Sequence, residues 1–203
     1  MYAEMQAACR IEMAVERKTA MITPGNRLPE FTTAACVSTE PGKEFKAIHS
    51  KDFLGKWLVL YTYPKDFTFV CPTEILEFDR MLGAFEERNA VVLGASTDNE
   101  HSHLAWRRDN RDLEAIRHPL LFLSPVMAAS FGVLHPTAGV ALRCTIVTDP
   151  EGMVRFTSAN DLDVGRSVSE VLRVLDGLQT GELVACNWKR GEATLTQQMK
   201  QRN

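Results

Sequence analysis

Apolar and polar positions alternate along this chain with two different periods. Trp57-Leu-Val-Leu-Tyr-Thr-Tyr63 is β-branched and aromatic, the composition of a central strand. Pro64-Lys65-Asp66 follows as a turn. Beyond it Ile75, Phe78, Leu82 and Phe85 recur at spacings of three, four and three, which predicts one helix from about Pro72 to Arg88. Ala90–Ser96 is short, apolar and bounded by polar residues, a buried strand, and Asn99–Asn110 reads as a second helix. A strand is expected at Leu120–Leu123 and a short helix at Pro125–Phe131. Cys144–Thr148 and Met153–Thr157 flank Asp149-Pro-Glu-Gly152, a hairpin signature. Arg166–Leu178 is an amphipathic helix with Val168, Val171, Leu172 and Leu175 on one face. The stretch around Cys36 is read as an N-terminal hairpin. Strands separated by helices, with a late hairpin, predict an α/β sandwich: a central mixed sheet flanked by helices.

The length of 203 residues suits one domain, placed at 21–180. Residues 1–20 mix Glu4, Glu12 and Glu16 with Arg10, Arg17 and Lys18, which neither a signal peptide nor a transit peptide does. They are read as a helical or disordered extension, with Met21 an alternative start. The tail, 181–203, is polar and interrupted by glycine, and Thr196–Asn203 has no apolar stripe; it is expected to be mobile or to dock on a partner subunit. The net charge of −3 gives no basic field for nucleic acid or an anionic membrane. Nothing approaches the run of about 18 apolar residues that a membrane helix requires. The expected location is the cytoplasm.

Five cysteines, Cys9, Cys36, Cys71, Cys144 and Cys186, are spaced irregularly and include no Cys-x-x-Cys pair. Neither a secreted disulfide framework nor a zinc ribbon fits that pattern. The histidines suggest no metal site, and no Gly-x-Gly-x-x-Gly offers a dinucleotide site, so no cofactor is expected. Cys71 differs from the rest because it follows a strand and a turn and precedes Pro72, a residue suited to the start of a helix. Unpaired N–H groups and the positive end of the helix dipole there favour a thiolate, the nucleophilic form of cysteine. Taken alone, Cys71 is more readily read as a small buried hydrophobe.

The surrounding residues decide between these readings. Pro64, Thr68 and Cys71 spell Pro-x-x-x-Thr-x-x-Cys, and Tyr63–Glu74 resembles the active-site segment of the peroxiredoxins almost residue for residue. Val140–Pro150 resembles that family's arginine-bearing strand, His103-Leu-Ala-Trp106 its His-x-Ala-Trp helix, and Asn160–Ser167 its Gly-Arg turn. The likeness is to typical 2-Cys peroxiredoxins of the alkyl hydroperoxide reductase C type, closest to the actinobacterial-type subgroup, and spans about Met21 to Leu195. It implies a thioredoxin-like fold and a thiol peroxidase that reduces hydrogen peroxide and organic hydroperoxides. Cys71 would be the nucleophile, Thr68 would orient thiolate and peroxide, Pro64 would shield the sulfur, and Arg143 would hold the thiolate and polarise the O–O bond. Glu74 and Arg166 would support Arg143.

The resemblance also implies a second thiol to resolve the sulfenic acid formed on Cys71. Cys186, in Glu182-Leu-Val-Ala-Cys-Asn-Trp-Lys189, resembles the resolving motif, although Val184 stands where the subgroup has an additional cysteine. Cys36 is the next choice. In this family the disulfide joins two subunits of a homodimer, often assembled in a ring, and the electrons come from a thioredoxin-like or Cys-x-x-Cys protein. The rival readings are a redox sensor or thiol–disulfide relay using the same cysteine, and a holdase chaperone. The Gly-Gly-Leu-Gly and Tyr-Phe features of easily over-oxidised members are absent from the sequence, so resistance to over-oxidation is expected.

Overall fold

The computed structural model describes residues 21–202; the expected extension 1–20 and Cys9 lie outside the described residues. The chain runs through β1 (Thr32–Cys36), β2 (Phe45–His49), β3 (Trp57–Thr62), α1 (Val70–Arg80), α2 (Leu82–Glu86) and β4 (Ala90–Ser96). It continues through α3 (Glu100–Asp109), α4 (Arg111–Glu114), β5 (Leu120–Phe122), α5 (Pro125–Ser130), β6 (Arg143–Thr148), β7 (Val154–Asn160), α6 (Val168–Thr180) and α7 (Leu195–Lys200). The strands form one mixed sheet in the order β2-β1-β5-β4-β3-β6-β7. β3, β4 and β5 are parallel neighbours, and every other pairing is antiparallel. The expected hairpins around Cys36 and Asp149–Gly152 are both present.

The twofold alternation of a strand divides the core. Leu58, Leu60, Leu93, Ala95, Cys144 and Ile146 point into one cluster, closed by Ala128 of α5 and by Ile22, Leu28 and Phe31. Val59, Tyr61, Val92 and Val147 point into the other, covered by Ile75 and Phe78 of α1, Phe85 of α2, Trp106 of α3 and Val171 and Leu175 of α6. Both faces of the sheet are therefore covered, as a sheet with parallel central strands requires.

Two expectations about elements need correction. The helix predicted from Pro72 to Arg88 begins at Val70 and is broken at Met81, where ψ is 2°, giving α1 and α2. Gly83, a poor helix former, follows the break, and Leu82 and Phe85 are both buried by the change of direction. The last long helix starts at Val168 rather than Arg166: Ser167 caps it by accepting from the Glu170 N–H, which leaves Arg166 in the preceding loop. The tail makes contacts within the chain. Val184 lies beside Gly177 of α6, Trp188 is buried, and Thr194 and Gln197 form a capping box that starts α7.

Candidate active site

Cys71 is the second residue of α1 and is fully buried. No side chain caps this helix, so its first-turn N–H groups lack the usual acceptor. Pro72 is the third helical residue rather than the first, and its missing N–H costs nothing within that first turn. The sheet puts β6 beside β3, and Arg143, the first residue of β6, thereby reaches the start of α1.

Arg143 donates from Nη1 to Cys71 Sγ at 3.4 Å and to Glu74 Oε2 at 2.6 Å, while its Nε donates to the Leu162 carbonyl at 2.7 Å. Burial opposes its charge, but the bonds to Cys71 and Glu74 outweigh that and hold its pKa above the ordinary arginine value. Glu74, one turn along α1 from Cys71, also accepts from Arg166 Nε and from the Arg166 backbone N–H, both at 2.9 Å. The remaining Arg166 donors go to the Cys144 carbonyl, Thr145 Oγ1 and the Thr62 carbonyl, and its guanidinium lies 5.2 Å from the centre of the Tyr61 ring. One buried carboxylate thus fixes two guanidinium groups, and one of them rests on the cysteine sulfur.

Pro64 is buried in the loop between β3 and α1. Thr68, in the same loop, donates its hydroxyl to the Lys65 carbonyl at 2.9 Å rather than to sulfur. The structure therefore brings together Cys71, Arg143, Glu74 and Arg166 through direct contacts, and places Pro64 and Thr68 on the adjoining loop. Cys186 is elsewhere, exposed at a turn closed by the Trp188 N–H on the Ala185 carbonyl, where Asn187 takes the left-handed conformation (φ 58°) that asparagine tolerates.

Cys36 and Cys144 are buried free thiols. Burial raises the pKa of Cys36 despite the neighbouring Arg107, and raises that of Cys144 to about 12, so neither environment favours a nucleophile. Sequence reasoning missed the Leu162 carbonyl that orients Arg143, because a main-chain contact leaves no residue signature. It also treated Asp66 only as a turn residue, although its carboxylate is buried against His103 and Tyr63. Among the described residues no group of three or more His, Cys, Asp and Glu converges as a metal set.

Comparison with known proteins agrees with this geometry. The AhpC/TSA family matches residues 24–157. Alkyl hydroperoxide reductase C of Mycolicibacterium smegmatis is 44% identical over 185 residues, covering 87% of this chain and 94% of the relative. Peroxiredoxin tpx1 of Schizosaccharomyces pombe is 44% identical over 179 residues, covering 84% and 91%. Among solved structures, Mycobacterium bovis AhpC superposes with a TM-score of 0.75 at 41% identity, covering 84% of this chain and 99% of that one. The reduced 2-Cys peroxiredoxin of Plasmodium vivax gives a TM-score of 0.79 at 35% identity, covering 85% and 92%. The sandwich is accordingly the thioredoxin-like fold of the peroxiredoxins. Since the matched span encloses both Cys71 and the arginine on its sulfur, sequence and site geometry agree that the chain belongs to the AhpC/TSA family.

Proposed function

We propose that this protein is a thiol peroxidase in which Cys71 reduces hydrogen peroxide and organic hydroperoxides. The observation that carries the reading is the Arg143 guanidinium 3.4 Å from Cys71 Sγ, with its orientation fixed by Glu74 and the Leu162 carbonyl. The relatives named for alkyl hydroperoxide reductase and peroxiredoxin activity support it. The thiolate attacks the terminal peroxide oxygen, the S–O bond forms as the O–O bond breaks, and the departing alkoxide takes a proton to leave as alcohol or water. A fixed guanidinium serves both ends of this step, stabilising the thiolate beforehand and the charge that develops on oxygen. The Thr68 hydroxyl spends its proton on Lys65, which leaves its lone pairs free to accept from the O–H of a hydroperoxide. Pro64 closes the loop behind them.

Cys71 is left as a sulfenic acid. In this reading the Cys186 thiolate of a partner subunit attacks it, forming the disulfide and releasing water, and a thioredoxin-like or Cys-x-x-Cys protein then returns two electrons. Exposure of Cys186 supports its assignment over Cys36 and Cys144, which are buried. The homodimer, a ring of dimers and a cytoplasmic setting belong to the same proposal, as does the division into a peroxidase domain at 21–180 and a tail at 181–203.

Stopped-flow peroxide oxidation of wild type, Cys71→Ser and Cys186→Ser, with non-reducing gels, tests these roles. Fast oxidation should vanish only in Cys71→Ser, and a peroxide-dependent dimer band should vanish in Cys186→Ser. A dimer band that survives without Cys186 reassigns the resolving thiol. Slow oxidation of the wild type sinks the peroxidase.

A further inference from the structure

The loop that carries Pro64 and Thr68 contains a strained residue. Phe67 has φ 55°, although it is not glycine, and its side chain is largely exposed with the ring 6.0 Å from that of Trp106. A bulky residue persists in that conformation only where its neighbours hold it there. The residue before it, Asp66, is firmly anchored. Its carboxylate is wholly buried, with Oδ1 accepting from the Tyr63 hydroxyl at 3.0 Å and Oδ2 lying 2.7 Å from His103 Nδ1. The Asp66 backbone N–H donates to Asp98 Oδ2 at 2.9 Å, and Asp98 is held in turn by the Ser96 hydroxyl.

His103, on α3, is also fully buried, and its Nε2 lies 3.1 Å from the Leu121 carbonyl. A carbonyl only accepts, so Nε2 carries a proton. The contact between Nδ1 and Asp66 Oδ2 then needs one proton of its own, on the ring or on the carboxyl. The pair is therefore joined by a single buried bond that ties the loop after β3 to a rigid helix. No hydrogen bond joins these groups to Cys71, Arg143 or Glu74.

We propose that the Asp66–His103 bond is a latch that positions the peroxide-binding loop, an inference that rests on the peroxidase reading of Cys71. With the latch closed, Pro64 and Thr68 are held in the loop that leads into α1, and the first turn of α1 stays wound. With it open, the strain at Phe67 is released, the loop and first turn loosen, and Cys71 becomes available to a second thiol. His103 and Asp66 are thus positioning residues that divide the enzyme between a state that attacks peroxide and a state that forms the disulfide.

Two substitutions of one residue separate the latch from simple packing. His103→Asn puts an amide nitrogen where Nδ1 stands and keeps a donor for Asp66, whereas His103→Gln puts it where Nε2 stands and keeps only the bond to Leu121. In His103→Gln the amides of residues 65–70 should exchange hydrogen at least about tenfold faster than in wild type. Sulfenic acid formation should slow by about tenfold, while conversion to the disulfide dimer should not slow. In His103→Asn the exchange of these amides should stay within about threefold of wild type. Unchanged loop exchange in His103→Gln overturns the proposal, and so does equal acceleration in both variants spread over the whole domain. Should His103→Gln not fold, Asp66→Ala opens the same bond from the loop side and leaves His103 its bond to Leu121, and loop exchange that fails to rise there is equally fatal. Wild-type peroxide oxidation in the same series reports on the peroxidase reading separately, because hydrogen exchange needs no turnover.

Discussion

Glu74 illustrates what one residue does at this site. Its side chain is 2% exposed and lies between Arg143 and Arg166, each 4% exposed, so three charges share a volume that excludes water. Such a cluster persists because almost every donor and acceptor is matched, and removing one partner leaves the others buried without compensation. Glu74→Gln keeps the shape but withdraws the negative charge, and its amide would turn N–H groups toward a guanidinium. We expect it to lower unfolding stability by about 3–5 kcal/mol in urea titration. Peroxide oxidation of the folded variant should slow by at least about tenfold, because Arg143 loses the group that aims it. If stability falls while oxidation is unchanged, Leu162 and the strand alone suffice to orient Arg143.

At the scale of elements, the sheet has to bring β3, β4 and β6 close enough for Thr62, Arg143 and the α1 start to meet. Gly94 in β4 makes part of that approach possible. A Cβ there would lie 2.6 Å from the Tyr61 hydroxyl and 2.8 Å from Leu120 Cδ2, inside any real contact distance. Gly94→Ala should cost about 1–3 kcal/mol in unfolding titrations as Tyr61 and Leu120 are pushed aside. It should also weaken the bond of the Tyr61 hydroxyl to His118 Nε2, now 2.7 Å. A stability equal to wild type would mean that Tyr61 moves freely.

The elements legible in the sequence are those with a local cause. The Asp149–Gly152 hairpin is one, since its turn needs the positive φ (78°) that Gly152 supplies; α3 is another, since Asn99 caps it. The Cys71–Arg143 pair is legible through two separate motifs, each short and contiguous. The break at Met81 is not legible, because the apolar spacing of Ile75, Phe78, Leu82 and Phe85 is satisfied by one helix or by two. Neither is the Asp66–His103 bond, which joins residues 37 positions apart and depends on the sheet order. The tail lies between these cases: it has no apolar stripe, yet Thr194 and Gln197 are spaced as a capping box.

At the scale of the whole molecule, global stability should respond to conditions through groups away from Cys71. His118 and Asp79 are such a pair, between α1 and the segment before β5. The Tyr61 hydroxyl lies 2.7 Å from His118 Nε2, and the Tyr61 pKa is raised well above its ordinary value by burial, so the phenol keeps its proton and donates it. Nε2 is then the acceptor, and Nδ1 carries the ring proton toward Asp79 Oδ1 at 3.7 Å, too far for a hydrogen bond. Burial holds the His118 pKa below its ordinary 6.5, against the pull of Asp79. Burial acts to raise the Asp79 pKa, but His118 and the bonds from Arg117 outweigh it and hold that carboxyl far below its ordinary 3.8.

Both shifts act in the same direction. Below pH 6.5 the unfolded chain takes up a proton at His118 that the folded chain refuses, so stability falls as pH drops from there toward the folded pKa. Asp79 adds a second loss that begins only below about pH 3.8. Urea midpoints should therefore be lower at about pH 5.5 than at about pH 7.5. In His118→Gln that difference should shrink, because the amide oxygen still accepts from Tyr61 and nothing at this position titrates. An unchanged difference in His118→Gln would place the acid sensitivity in other groups and leave His118 only the role of a hydrogen-bond acceptor for Tyr61.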